Sequence, residues 1–159
     1  MSTREFYVER FKAEHPMFLK TFRALPADKL DYTPHERSNS AGDIAWLLTR
    51  EMQVLLPMFE RGEAPWTNTP RAQSLDEIIR DYEAAAAAVM QRIESLDEET
   101  WNRDAQFLVN GNPVMTMPLR DMAWFFLFDS IHHRGQLTTY IRPMGGKVPA
   151  IYGPSADER

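Results

Sequence analysis

The sequence predicts an all-α protein, a four-helix bundle forming a single domain over residues 1–159, and three observations predict it. Four long segments repeat their apolar positions at the 3.6-residue period of a helix. Residues that start and stop helices stand at the ends of those segments. No segment reads as a central strand.

The first helix is expected over Arg4 to Leu25, with Tyr7, Phe11, Phe18, Phe22 and Leu25 on one face and Pro16 as the place for a kink. The second is expected over Ala41 to Arg61. Ser40 and Asp43 resemble a capping box before it and Gly62 is a stop after it. Its inner stripe is Ile44, Leu47, Leu48, Leu55 and Met58, and Pro57 is expected to distort its last turns. The third runs over Leu75 to Leu96 behind a Ser74–Glu77 capping box, with Leu75, Ile78, Tyr82, Val89, Ile93 and Leu96 facing inward. The stretch Thr100 to Pro118 reads as a long crossover or a small hairpin turning at Asn110-Gly111-Asn112. The fourth helix covers Leu119 to Ile141 and stops before Pro143. The tail after Gly146 holds Pro149, Gly153 and Pro154 and is not helical; Val148, Ile151 and Tyr152 are placed to strap it onto the bundle.

Composition removes several functions. The chain has no cysteine, so disulfides, thiolate metal sites and cysteine nucleophiles are excluded. No apolar run approaches the ~20 residues that span a bilayer, so no membrane role is expected. Met1 to Lys20 is charged and amphipathic, unlike a secretory leader, so the cytoplasm is the expected compartment. The formal net charge is −5, with 18 basic residues scattered among 23 acids. Nucleic-acid binding needs a basic stripe to neutralise phosphates, so a small-molecule ligand or a protein partner is the expectation instead.

Chemistry concentrates in the fourth helix. Met122-Ala-Trp-Phe-Phe-Leu-Phe128 is apolar nearly all round, the mark of a helix buried on most sides, and Asp129 follows it directly. A carboxylate in such a place must be paired, metal-bound or protonated. His133, one turn on, shares its face, together with Met122, Phe126, Gln136 and Tyr140. Two such side chains at i and i+4 hold one ion from a single helix, but they equally form a hydrogen-bonded pair with no ion. His132 is rotated about 100° away and is expected to meet a neighbouring helix, a partner or solvent. Gly135 is expected to allow close helix packing, and Arg134 and Arg142 either stay at the surface or pair with Asp129 or Glu51. Trp46, Trp124 and the phenylalanines near the fourth helix are expected in the core, and Trp66 and Trp101 as anchors beside loops.

The run His132-His-Arg-Gly-Gln-Leu137, with Tyr140 and the Gly145-Gly146 pair behind it, resembles the last helix of the DinB (damage-inducible) family. Val148-Pro-Ala-Ile-Tyr-Gly-Pro154, Leu25-Pro-Ala-Asp-Lys-Leu-Asp-Tyr-Thr-Pro-His35 and Ala45-Trp-Leu-Leu48 extend the likeness over nearly the whole chain. The resemblance implies a bundle of DinB-like type, homodimerisation and a mid-bundle cleft holding a divalent ion such as nickel or zinc on three histidines. Here His133 matches the last ligand, Asp129 replaces the histidine before it, and Leu47 stands where the second-helix histidine is expected, so one ligand is lost. Glu51, one turn beyond Leu47 on the same stripe, is the candidate replacement; it is also readable as a boundary acid paired with an arginine. His15, between Phe11 and Phe18, is a second candidate, more simply a core histidine. A site of Glu51, Asp129 and His133 would suit iron, manganese or zinc.

Two functions follow from the resemblance. One is metal-dependent transferase or hydrolase-type chemistry with a low-molecular-weight thiol as cosubstrate. The other is a non-catalytic, stress-related binding protein whose metal site has degenerated and which carries little or no metal.

Overall fold

A computed structural model describes residues 1–158. Among them, helix α1 spans Thr3–Arg23, α2 Ala41–Arg61, α3 Leu75–Glu94, the short α4 Glu98–Asn102 and α5 Leu119–Ile141. Strand β1 spans Glu63–Trp66, β2 Asp104–Val109 and β3 Asn112–Pro118. The molecule is thus mainly helical but not all-α, which corrects the sequence-based expectation.

Helix ends follow local chemistry. Ser2 and Glu5 form a capping box on α1, and Ser74 and Glu77 form one on α3, each satisfying backbone N–H groups that have no carbonyl partner in the first turn. Ser40 accepts from the Asp43 amide at the start of α2. Gly62 ends α2 in the left-handed region at φ 82°, where a Cβ is disfavoured. Both α1 and α2 continue through their internal prolines.

The four long helices pack in a ring, α2 against α3 and α5, and α1 against the same two. Every apolar residue expected on the inner faces of the first and third helices is buried, Tyr7 and Val89 fully. Of the α2 stripe, Leu47 alone is only partly buried.

The Thr100–Pro118 stretch resolves as α4 and a hairpin. Val109 pairs with Asn112 around Asn110-Gly111, whose φ angles of 50° and 81° are the two positive values that a two-residue hairpin turn needs. β1 adds to β2 in parallel, Glu63 opposite Gln106, giving the order β1-β2-β3. This strand escaped notice because Glu-Ala-Pro-Trp has only four residues and a proline, tolerable only at an edge. The sheet ties the end of α2 to the start of α5.

The tail straps onto the bundle by polar contacts. Lys20 pairs with Glu158 at 2.9 Å and donates to the Ala150 carbonyl at 2.9 Å; Arg142 pairs with Asp157 at 2.8 Å. Arg142 therefore meets neither interior acid. Among the described residues no helix is long and apolar enough to cross a membrane.

Two expectations about α5 are overturned. Phe125 and Phe128 are 43% and 61% exposed, so the apolar run presents one side to solvent instead of lying in the core on most sides. Trp124 is half-buried at that edge, 5.4 Å from the Phe128 ring, and Trp46 is likewise only partly covered. A Cβ built on Gly135 meets nothing within 4 Å, so this glycine serves no close helix contact.

Candidate metal centre

Helices α2 and α5 run antiparallel in contact. Ser130 meets Glu51, and ten residues further along α5 Tyr140 meets Asn39, just before the start of α2. This register sets Glu51 against Asp129 and His133. One ligand atom from each of the three lies within 4.8 Å of the others.

The three side chains differ in environment. Glu51 is 3% exposed and accepts a hydrogen bond of 2.5 Å from the Ser130 hydroxyl. Burial pushes its carboxyl up to about 9, the Asp129 carboxylate alongside adds to the rise, and Ser130 opposes it. Glu51 thus needs a proton or a cation at neutral pH, and no arginine pairs with it among the described residues. Asp129 is about two-fifths exposed and stands 3.7 Å from His133 Nε2. It is not the deeply buried acid expected from its neighbours in sequence, because it opens toward the same solvent-facing side as Phe125 and Phe128.

A hydrogen-bond chain fixes the histidine. The Asn39 carbonyl can only accept, so the Tyr140 hydroxyl donates to it at 3.3 Å. The Tyr140 oxygen accepts from Gln136 Nε2 at 3.2 Å, which turns Gln136 Oε1 toward His133 Nδ1, also at 3.2 Å. Oε1 accepts, so Nδ1 carries a proton, and in the neutral ring that a metal requires the lone pair falls on Nε2, the nitrogen that faces Asp129. This is the outer-shell arrangement that orients a ligating histidine.

The set of one imidazole and two carboxylates fits a divalent first-row ion such as iron, manganese or zinc, with coordination positions left over. Leu47 supplies no donor atom, but Glu51 reaches the centre one turn further on.

The remaining candidates lie elsewhere. His15 stacks on Tyr82 at 5.4 Å, and burial lowers its pKa. His132 is exposed, its ring 5.2 Å from that of His133. Arg134 is buried and pairs with neither Asp129 nor Glu51. It donates to Glu14 at 2.6 Å and to the Tyr152 hydroxyl, which itself donates to Glu14 at 2.8 Å. Glu14 was missed, although its place between Phe11 and Phe18 on the apolar stripe of α1 signals a buried acid. Ser130 was missed too; its contact depends on which helix faces it.

The family model for the DinB family matches residues 1–159. The Bacillus subtilis protein YrdA is 24% identical over 158 residues, covering 98% of this chain and 92% of its own. A DinB-like protein from Bacillus cereus ATCC 10987 superposes with a TM-score of 0.76 at 22% identity, covering 93% of this chain and 97% of that one. The DinB-like protein YjoA of Bacillus subtilis gives 0.70 at 20% identity, over 96% and 98%. A mycothiol-dependent maleylpyruvate isomerase gives 0.61 at 11% identity, covering 94% of this chain and 65% of that one.

Proposed function

The chain belongs to the DinB family, and from that premise we propose that it holds one divalent cation on Glu51, Asp129 and His133 and uses it in thiol-dependent transferase or hydrolase-type chemistry. The observation that carries this reading is the convergence of the three ligand atoms within 4.8 Å, one of them on the buried Glu51 carboxyl. A bound divalent ion would lower the pKa of a thiol or water and so provide a nucleophile near neutral pH. The protein's own residues do the rest. Glu51 and Asp129 supply negative charge, Gln136 holds His133 with Nε2 inward, and Ser130 orients Glu51. The chain has no cysteine, so a thiol would come from a cosubstrate. The mycothiol dependence of one structural neighbour supports that choice.

A second reading keeps the cleft without the ion, as a binding protein. It is favoured by one contact: a protonated Glu51 can donate to the Asp129 carboxylate beside it, which leaves the pair satisfied without an ion. Elemental analysis of protein purified without added metal separates the two. Near-stoichiometric metal that disappears in Asp129→Ala and His133→Ala supports the first. No metal, with variants that lose only stability, overturns it.

A further inference from the structure

A groove opens beside the metal centre. Trp46, Leu47 and Arg50 of α2, Trp66 of β1 and the segment leading to Arg71 line it, and it encloses about 350 Å³. That is the size of a small-molecule site. Two contacts fix its position. Glu51 faces Ser130 and Asn39 faces Tyr140, so Leu47, between them on antiparallel α2, falls level with His133. Asn39 lines the groove at its far end and receives the hydrogen-bond chain that orients His133. Leu47 in the groove wall and Glu51 in the metal centre thus stand one helical turn apart on α2.

The charges in the groove are unequal. Arg71 is committed, to Asp31 at 2.6 Å and Asp43 at 3.4 Å, which also accounts for the one acid in the lining. Arg50 is not. Its guanidinium donates to the neutral Gln53 amide oxygen, its Nε is buried without a partner, and no carboxylate pairs with it among the described residues. A partly desolvated cation without a counterion is costly, and an anion removes the cost. The indoles beside it are not what a bare inorganic anion requires. Trp46 donates to the Thr69 carbonyl at 3.2 Å and so pins the opposite wall in place, giving flat apolar surface for an organic body.

We propose that this groove binds a small organic acid, its carboxylate paired with Arg50, its apolar body against Trp46 and Trp66, and its far end reaching the metal centre. Only the far end rests on the metal reading. The probe is benzoate, titrated into metal-free protein and followed by tryptophan fluorescence and ligand-observed NMR, with neutral benzamide alongside. Benzoate should bind about tenfold or more tightly than benzamide, the ratio a charge-assisted hydrogen bond supplies. Arg50→Gln should abolish the difference, with an unchanged thermal melt showing that it folds; Arg50→Lys, which keeps the charge, should retain part of it. Equal binding of the two probes, no benzoate binding at millimolar concentration, or discrimination that survives in Arg50→Gln overturns the proposal. Inorganic phosphate that competes as well as benzoate does would overturn its organic part. The two readings fail separately: absent metal with intact discrimination sinks only the metal centre, and bound metal without discrimination sinks only the groove.

Discussion

Glu51 decides most at the residue scale. Its carboxyl lies at about 9 in the fold against an ordinary 4.5, so between those values the folded chain holds a proton that the unfolded chain has released. The metal-free protein should therefore lose stability as pH rises from about 4.5 through about 9, the direction set by the extra proton on the native state. Glu51→Gln should flatten that slope in urea titrations run across the range. Metal binding must displace the same proton, so apparent affinity should climb with pH up to about 9, with proton release measurable by calorimetry in buffers of different ionisation enthalpy. Gln136→Ala frees His133 to rotate and change tautomer. It should cost about 10–100-fold in metal affinity while leaving all three ligands in place, and an unchanged dissociation constant would discard the tautomer assignment.

Among the elements, α2 and α5 were legible nearly residue for residue. Their end signals, Ser40 and Gly62 for α2 and Pro143 after α5, are local chemistry. The hairpin was legible as one of two alternatives, because Asn-Gly accepts positive φ at both turn positions. β1 was not, because its pairing depends on β2, about forty residues away. Gly135 illustrates a different limit. A helical glycine reads as a close contact, yet the space above it is open. Gly135→Ala should stabilise the protein by about 0.5–1 kcal/mol, since alanine loses less backbone entropy in a helix. Chemical denaturation of the two forms measures this, and a loss of stability would show that another molecule or element approaches there.

Across the whole molecule, the Glu14–Arg134–Tyr152 cluster joins α1, α5 and the tail. Arg134 lies over the Phe18 ring at 4.7 Å and over Tyr152 at 5.1 Å, so its charge is enclosed by aromatic surface as well as paired. Arg134→Met strands a buried carboxylate and should cost about 3–5 kcal/mol, whereas adding Glu14→Leu should recover much of that loss. Equilibrium unfolding of the single and double variants tests this; equal stability of the two would mean the pair is solvated. Net charge acts at the same scale. At −5, with its arginines largely engaged in pairs, the protein should show no retention of duplex or single-stranded DNA at low salt in a gel-shift titration.

Sequence by itself determined the helical segments, the absence of any cysteine in the chain, the family likeness and the Asp129–His133 pair, because periodicity, composition and i,i+4 spacing are properties of one local stretch. It offered Glu51 only as an alternative to a boundary acid. Tertiary structure decided that Glu51 faces those two residues, that Arg134 is drawn to Glu14 instead, and that Arg50 is left unpaired beside two indoles. Each of those outcomes depends on the register of α2 against α5 or on the way α1 and the tail cover them. Such register is set by packing across the whole core, where no single stretch of sequence carries the information.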